Sequence, residues 1–183
     1  RLMHECYLKQ NINFLEVLFT HYRIVNSDFE LLYEPVFQLA DEVAHYNNYK
    51  AVQSIAGMVF EKYKYLFKET PAQVEDIRKY GYAPKQLHHM IRCHDFLIKY
   101  ISGRSYVDCL KVHNAEELIK IKRGLLPYKE AMATAKFIYE DTIKFKELYM
   151  QNVPLKISES VKDILQNCLI NIFKKHFLKQ IGV

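Results

Sequence analysis

PKQLHHMIRCHDFLIKYIS, residues 84–102, sets the structural class of this chain. Leu87, Met90, Ile91, His94, Leu97, Ile98 and Ile101 recur at three- and four-residue intervals, the period of a helix that packs one stripe inward. Pro84 suits the first helical position, where no backbone N–H is needed, and Gly103 suits a left-handed stop. At about 100° per residue, Lys85, His89, Arg92, Phe96 and Lys99 fall on the opposite face. Lys85, His89 and Arg92 stand at i, i+4 and i+7 from a helix start, where free N–H groups and the helix dipole also favour an anion. The trio reads either as a phosphate site or as the ordinary polar face of a surface helix.

The same period extends over the rest of the chain. Residues 11–23 carry Phe14, Leu15, Leu18 and Phe19 at helical spacing, with Asn11 or Asn13 as a cap. Residues 29–46 continue with Leu32, Val36, Leu39 and Val43, preceded by the capping pair Ser27-Asp28, and Pro35 predicts a break. A further stripe runs over 48–68, where Gly57 predicts a close crossing with another backbone. Pro71 opens a short helix that Gly81 closes. Residues 104–112 read as a loop with a brief extended piece. Asn114 with Glu117 starts a helix ending at Gly124, and Pro127 opens a long one through Tyr149. Beyond Pro154, Ser158 or Ser160 starts a last helix to about Gln180, with Val161, Ile164, Leu165, Cys168, Ile172 and Phe173 inward. The expectation is an all-α compact bundle of about six to eight helices in a single domain over 1–183, with 152–183 an additional C-terminal helix.

Composition excludes several classes. The chain has 183 residues, 50% hydrophobic and 26% charged, enough apolar material for a filled core. Five Gly and five Pro, with no repeat at a fixed period, argue against collagen-like, low-complexity and solenoid architectures. No apolar run reaches the roughly 20 residues that cross a bilayer, and residues 1–5 lack a secretory signal, so a cytoplasmic protein with no membrane partner is expected. Cys6, Cys93, Cys109 and Cys168 show no metal-type spacing and read as thiols. A formal charge of +5 permits phosphate contact without demanding it.

Scattered glycines rule out P-loop and Rossmann phosphate cradles, and neither GxSxG nor HExxH occurs. His89 and Cys93 form a lone i,i+4 pair, short of the ligands zinc needs, so no metal site is expected. Glu16 with Glu30 and Asp41 with Glu42 read as solvated carboxylates rather than acid–base dyads. The apolar stripe of 164–179 reads as core packing rather than a membrane-surface contact.

Residues 80–92, YGYAPKQLHHMIR, resemble the signature GYxPKxxxHxIR of a family of predicted nucleotidyltransferases in the DNA polymerase beta superfamily, with Lys85, His89 and Arg92 on its marked positions. Residues 11–19 (NINFLEVLF) are similar to its NPNxLExLF helix, residues 55–58 (IAGM) to its glycine-containing helix, and residues 115–128 to its EELLxIRxG segment. The resemblance covers about 7–151 in order. It departs at Gln86, where the family often has a second His, and at Gln10-Asn11-Ile12, where it has Gly-Asn-Pro. The superfamily's Gly-Ser turn and Asp-x-Asp pair have no counterpart, since Gly103-Arg104-Ser105 is not followed by paired aspartates.

The resemblance implies the helical, nucleotide-contacting part of a nucleotidyltransferase, with the catalytic palm upstream of residue 1, a position consistent with a first residue Arg, or lost. Lys85 and Arg92 would neutralise triphosphate oxygens and His89 would donate a hydrogen bond to a phosphate or ribose oxygen. Tyr82, His88 and Lys99 are lesser candidates, Tyr82 as a base-stacking ring. Mg²⁺ is implied as cofactor, its ligands outside this chain; the substrate would be a nucleoside triphosphate and the acceptor a protein, an RNA or a small molecule. The competing expectation is a noncatalytic helical module for nucleic acid or a protein, using the same face with Lys99 and the lysines of the last helix.

Overall fold

The computed structural model describes residues 7–181; Cys6 lies outside them. Among these residues the protein is all α, with ten α-helices, one 3-10 turn, one isolated bridge between Asn47 and Ile157, and no strand. The helix count exceeds that of the long periodic segments because several helices are only one turn or slightly more. No helix among the described residues is long and apolar enough to cross a membrane. The chain forms two compact units, residues up to 51 with those from 155 onward, and residues 52–154.

In the first unit, α1 (Ile12–Leu15) is capped by Asn11, whose side chain accepts from the Asn13 amide at 3.1 Å. The expected helix over 11–23 stops early: a 3-10 turn (Glu16–Phe19) follows, and Thr20 leaves the helical region, its hydroxyl donating to Val17 O at 2.9 Å. A β-branched residue that bonds the preceding turn competes with helix propagation. Next come α2 (Glu30–Gln38) and α3 (Ala40–Ala44). The break between them falls at Leu39 rather than Pro35, which lies inside α2. Pro35 costs only the bond to Leu31, and that residue is exposed, where water replaces it. Gln10, fully buried, donates from Nε2 to Tyr7 O and Val43 O, both at 2.8 Å, fixing the chain entry against α3.

The last helix, α10 (Glu159–Gln180), starts at Ser158, whose hydroxyl accepts from Val161 N at 3.3 Å, and packs on α2. Lys156 N donates to Asn48 Oδ1 at 2.9 Å and Ser158 N to Tyr46 O at 3.0 Å, which tie its approach to the first unit. Val161, Leu165 and Cys168 are buried, and burial pushes the Cys168 thiol up to about 11, where it is inert. Phe173 is exposed, contrary to the periodic reading, because α2 has nine residues and cannot cover all 22 of α10. Asp28 does not cap α2; it accepts from Lys179 Nζ.

The second unit holds most of α4 (Asn48–Tyr65), then α5 (Val74–Tyr80), α6 (Pro84–Ile101), α7 (Tyr106–Leu110), α8 (Ala115–Lys122) and α9 (Tyr128–Asn152). Helix α6 packs against α7, α8 and α9, with Leu87, Met90 and Leu97 fully buried. Gly81 adopts φ 81°, and a Cβ there would meet the Tyr128 ring at 2.8 Å, so both conformation and space demand glycine. The stretch 104–112, expected as a loop, contains α7 because Ser105 accepts from Asp108 N at 3.2 Å and donates to its carboxylate at 2.9 Å, a local cap in the Ser-x-x-acid pattern. Among the described residues, Cys93, Cys109 and Cys168 are in no disulfide.

Gly57 does not mark a close crossing: it is exposed, and an added Cβ would meet nothing within 4 Å. Gly57→Ala is therefore expected to raise the unfolding free energy by about 0.5–1 kcal/mol in denaturant titration. A loss of stability would show that this face of α4 is covered.

Candidate functional site

The first turn of α6 is held on several sides. Ala83 N donates to Leu66 O at 2.9 Å, securing it to the segment after α4. Tyr82, fully buried, donates from its hydroxyl to Leu126 O at 2.9 Å. Gln86, at the position where the resembled family often has His, donates to Gln73 Oε1 at 3.0 Å, and Gln73 in turn donates to Tyr65 O at 2.8 Å and to Lys68 O. Tyr82 is thus an anchor inside the unit rather than a surface on which a base could stack.

This frame presents Lys85 and Arg92 exposed on one face, with His89 half-buried between them. His88, also half-buried, lies edge-on to His89 with ring centroids 5.3 Å apart, and its Nδ1 is buried with no hydrogen-bond partner among the described residues. Burial first, then Arg92 and Lys122 of α8, hold the His88 pKa below its ordinary value. For His89 the causes are burial, then His88, Arg92, Lys62 of α4 and Lys85, which together bring it down to about 4. Both rings are accordingly neutral at pH 7, among cations contributed by three helices.

Among the described residues, no carboxylate is among the groups that act on either ring. Lys62 has a contact with Glu61 at 3.4 Å, while Lys85 and Arg92 have no ion-pair partner among the described residues. Among those residues no cluster of three or more His, Cys, Asp or Glu could hold a metal ion, and Cys93 is buried. This face offers nitrogen donors and no carboxylate oxygen, so it does not fit Mg²⁺, which takes carboxylate oxygen and water.

Lys99 does not belong to the face. It is 4% exposed, and its Nζ donates to Asp95 Oδ2 and to Lys111 O, both at 2.5 Å. Phe96 is buried as well, edge-on to Tyr106 of α7 at 5.0 Å. On the helical wheel Lys99 aligns with Lys85, but α7 and the segment after it cover the C-terminal half of α6. The open cationic face therefore ends near Arg92.

Arg92 also lines a cavity of about 370 Å³ bounded by α6, α8 and α9, within the size range of small-molecule sites. Its apolar lining includes Ile91, Leu118, Ile121 and Ile138; Ile91, expected in the core, is a half-buried wall residue. His94 also lines it, and its Nε2 lies 2.8 Å from Oδ2 of Asp141 behind the wall. Asn114 and Glu117, read from sequence only as a helix cap, do cap α8 and also line the cavity. Their second role had no sequence signal, since a cavity depends on which helices meet.

A histidine kept neutral in the folded state binds fewer protons than in the unfolded chain, so lowering pH favours unfolding. Stability is expected to fall as pH drops from 6.5, the ordinary value, toward about 4. The lowered carboxyls of Asp28 and Asp108 lose their contribution around and below their ordinary value of 3.8, so the upper part of the window reports His88 and His89. Denaturant titrations across it should show a shallower slope for His89→Gln; an unaltered slope would mean that His89 titrates normally. No protein-family model, curated protein or solved structure matches this chain.

Proposed function

We propose that the face formed by Lys85, His89 and Arg92 binds the phosphates of a nucleoside triphosphate, as the helical part of a nucleotidyltransferase whose catalytic palm is supplied from outside these residues. The observation that carries this reading is the convergence of Lys62, Lys85, Arg92 and Lys122 on two neutral imidazoles with no carboxylate among the described residues acting on them. Like charges held together this way, on a scaffold hydrogen-bonded at the start of α6, are arranged in advance for an anion.

Roles follow from geometry and chemistry. Arg92 offers a planar fork for two phosphate oxygens, and Lys85 a mobile point charge in the first turn of α6, at the positive end of the helix dipole. His89, neutral, can donate one N–H to a phosphate or ribose oxygen. Lys62 and Lys122 add charge without needing contact. Metal-ion chemistry, and the transfer of the nucleotidyl group to a protein, RNA or small-molecule acceptor, belong to the palm.

Calorimetric titration of the chain with each of the four ribonucleoside triphosphates tests the proposal. Lys85→Ala and Arg92→Ala are each expected to weaken binding about tenfold, the scale of a charge-assisted hydrogen bond. As exposed positions they should leave unfolding free energy within about 0.5 kcal/mol. Unchanged affinity in both variants would refute the site. Tight binding of single-stranded RNA with no triphosphate binding would favour the noncatalytic nucleic-acid module instead.

A further inference from the structure

We infer that the cavity between α6, α8 and α9 is a nucleoside pocket, receiving a heteroaromatic base whose phosphates lie on the adjoining cationic face. The inference rests on the phosphate reading above and names what the same ligand does at its other end.

Several features select this chemistry. Leu118, Ile121 and Ile138 are 8%, 5% and 4% exposed and give the cavity an apolar floor. Phe137 stands on its wall with 62% of its surface exposed, an aromatic ring available for stacking. An apolar floor beside an open ring favours a flat, weakly hydrated body over a sugar or a peptide backbone.

The polar groups are also specific. The acids at or behind the cavity are engaged: Asp95 accepts from Lys99, Asp141 faces His94, and Glu117 accepts from the Asn114 amide. Glu117 is exposed and keeps acceptor capacity beyond that one bond, suited to the N–H groups at a base edge. Arg92 is the one lysine or arginine that lines the cavity, and it has no ion-pair partner among the described residues. A ligand with an uncharged ring at one end and an anion at the other therefore matches both sides of Arg92. Its ring would lie against the floor and Phe137, and its phosphates would run toward His89 and Lys85.

Nuclear magnetic resonance titration of the chain with adenosine, guanosine, cytidine and uridine, and with their triphosphates, tests the pocket apart from the phosphate face. At least one nucleoside should bind saturably and shift the methyl signals of Leu118, Ile121 and Ile138. Thr134→Trp, which fills the cavity from a half-exposed wall position, and Phe137→Ala, which removes an exposed ring, should each weaken it at least about fivefold. Lys85→Ala should weaken only the triphosphate. If no nucleoside moves those methyls, or both cavity variants bind as the parent does, the pocket is refuted. Triphosphate binding that needs Lys85 but ignores Thr134→Trp and Phe137→Ala overturns the pocket and leaves the phosphate face standing. Nucleoside binding that needs Phe137, with triphosphate binding indifferent to Lys85, upholds the pocket and overturns the phosphate face. Melting curves of both variants, expected to match the parent, keep a loss of binding from being a loss of fold.

Discussion

The hydrogen bond from the Ala83 amide to Leu66 O, at 2.9 Å, is the constraint on which the candidate site depends. It fixes where α6 begins, and a helix start fixes the direction of every side chain that follows. Tyr82 to Leu126 O and Gln86 to Gln73 secure the same turn from other sides. Each such bond contributes only about 1 kcal/mol, yet a buried partner left unsatisfied costs more, so the three hold the turn in one place. Lys85, His89 and Arg92 then need no order of their own to share a face.

That face is electrostatically costly as it stands. His89 is neutral because it is half-buried and because Lys62, Lys85, Arg92 and His88 oppose a further positive charge. Lys99 shows the contrasting solution on the same helix: a buried ammonium satisfied at once by Asp95 and the Lys111 carbonyl. The chain thus neutralises a cation where it is structural and leaves cations unpaired near the start of α6. An incoming anion would relieve this repulsion, and no internal carboxylate is ion-paired with Lys85 or Arg92 among the described residues.

Much of this was legible in the residues. Pro84 and Gly103 bracket α6 almost to the residue, Asn114 and Ser158 cap the helices they precede, and the wheel puts Lys85, His89 and Arg92 together. These are local effects, set by backbone geometry within a few positions. What was not legible depends on which element covers which. Lys99 and Phe96 are buried because α7 lies over them, and α7 itself hides in the short pattern Ser105-x-x-Asp108. Phe173 is exposed because its partner helix is short, and Gly57 faces open space although its type suggested contact. The cavity at Arg92 is the extreme case, since Asn114, Glu117 and Phe137 carry no shared motif and meet only through packing.

The claim that α6 is built to receive phosphate is tested most directly at His89. In a proton titration of its ring followed by nuclear magnetic resonance, with and without inorganic triphosphate, the free protein should titrate near 4. Bound triphosphate supplies the negative charge that the surrounding cations now oppose, so the midpoint should rise when it is present. A midpoint unmoved by saturating triphosphate, or moved no more than that of His45 in the other unit, would contradict the account.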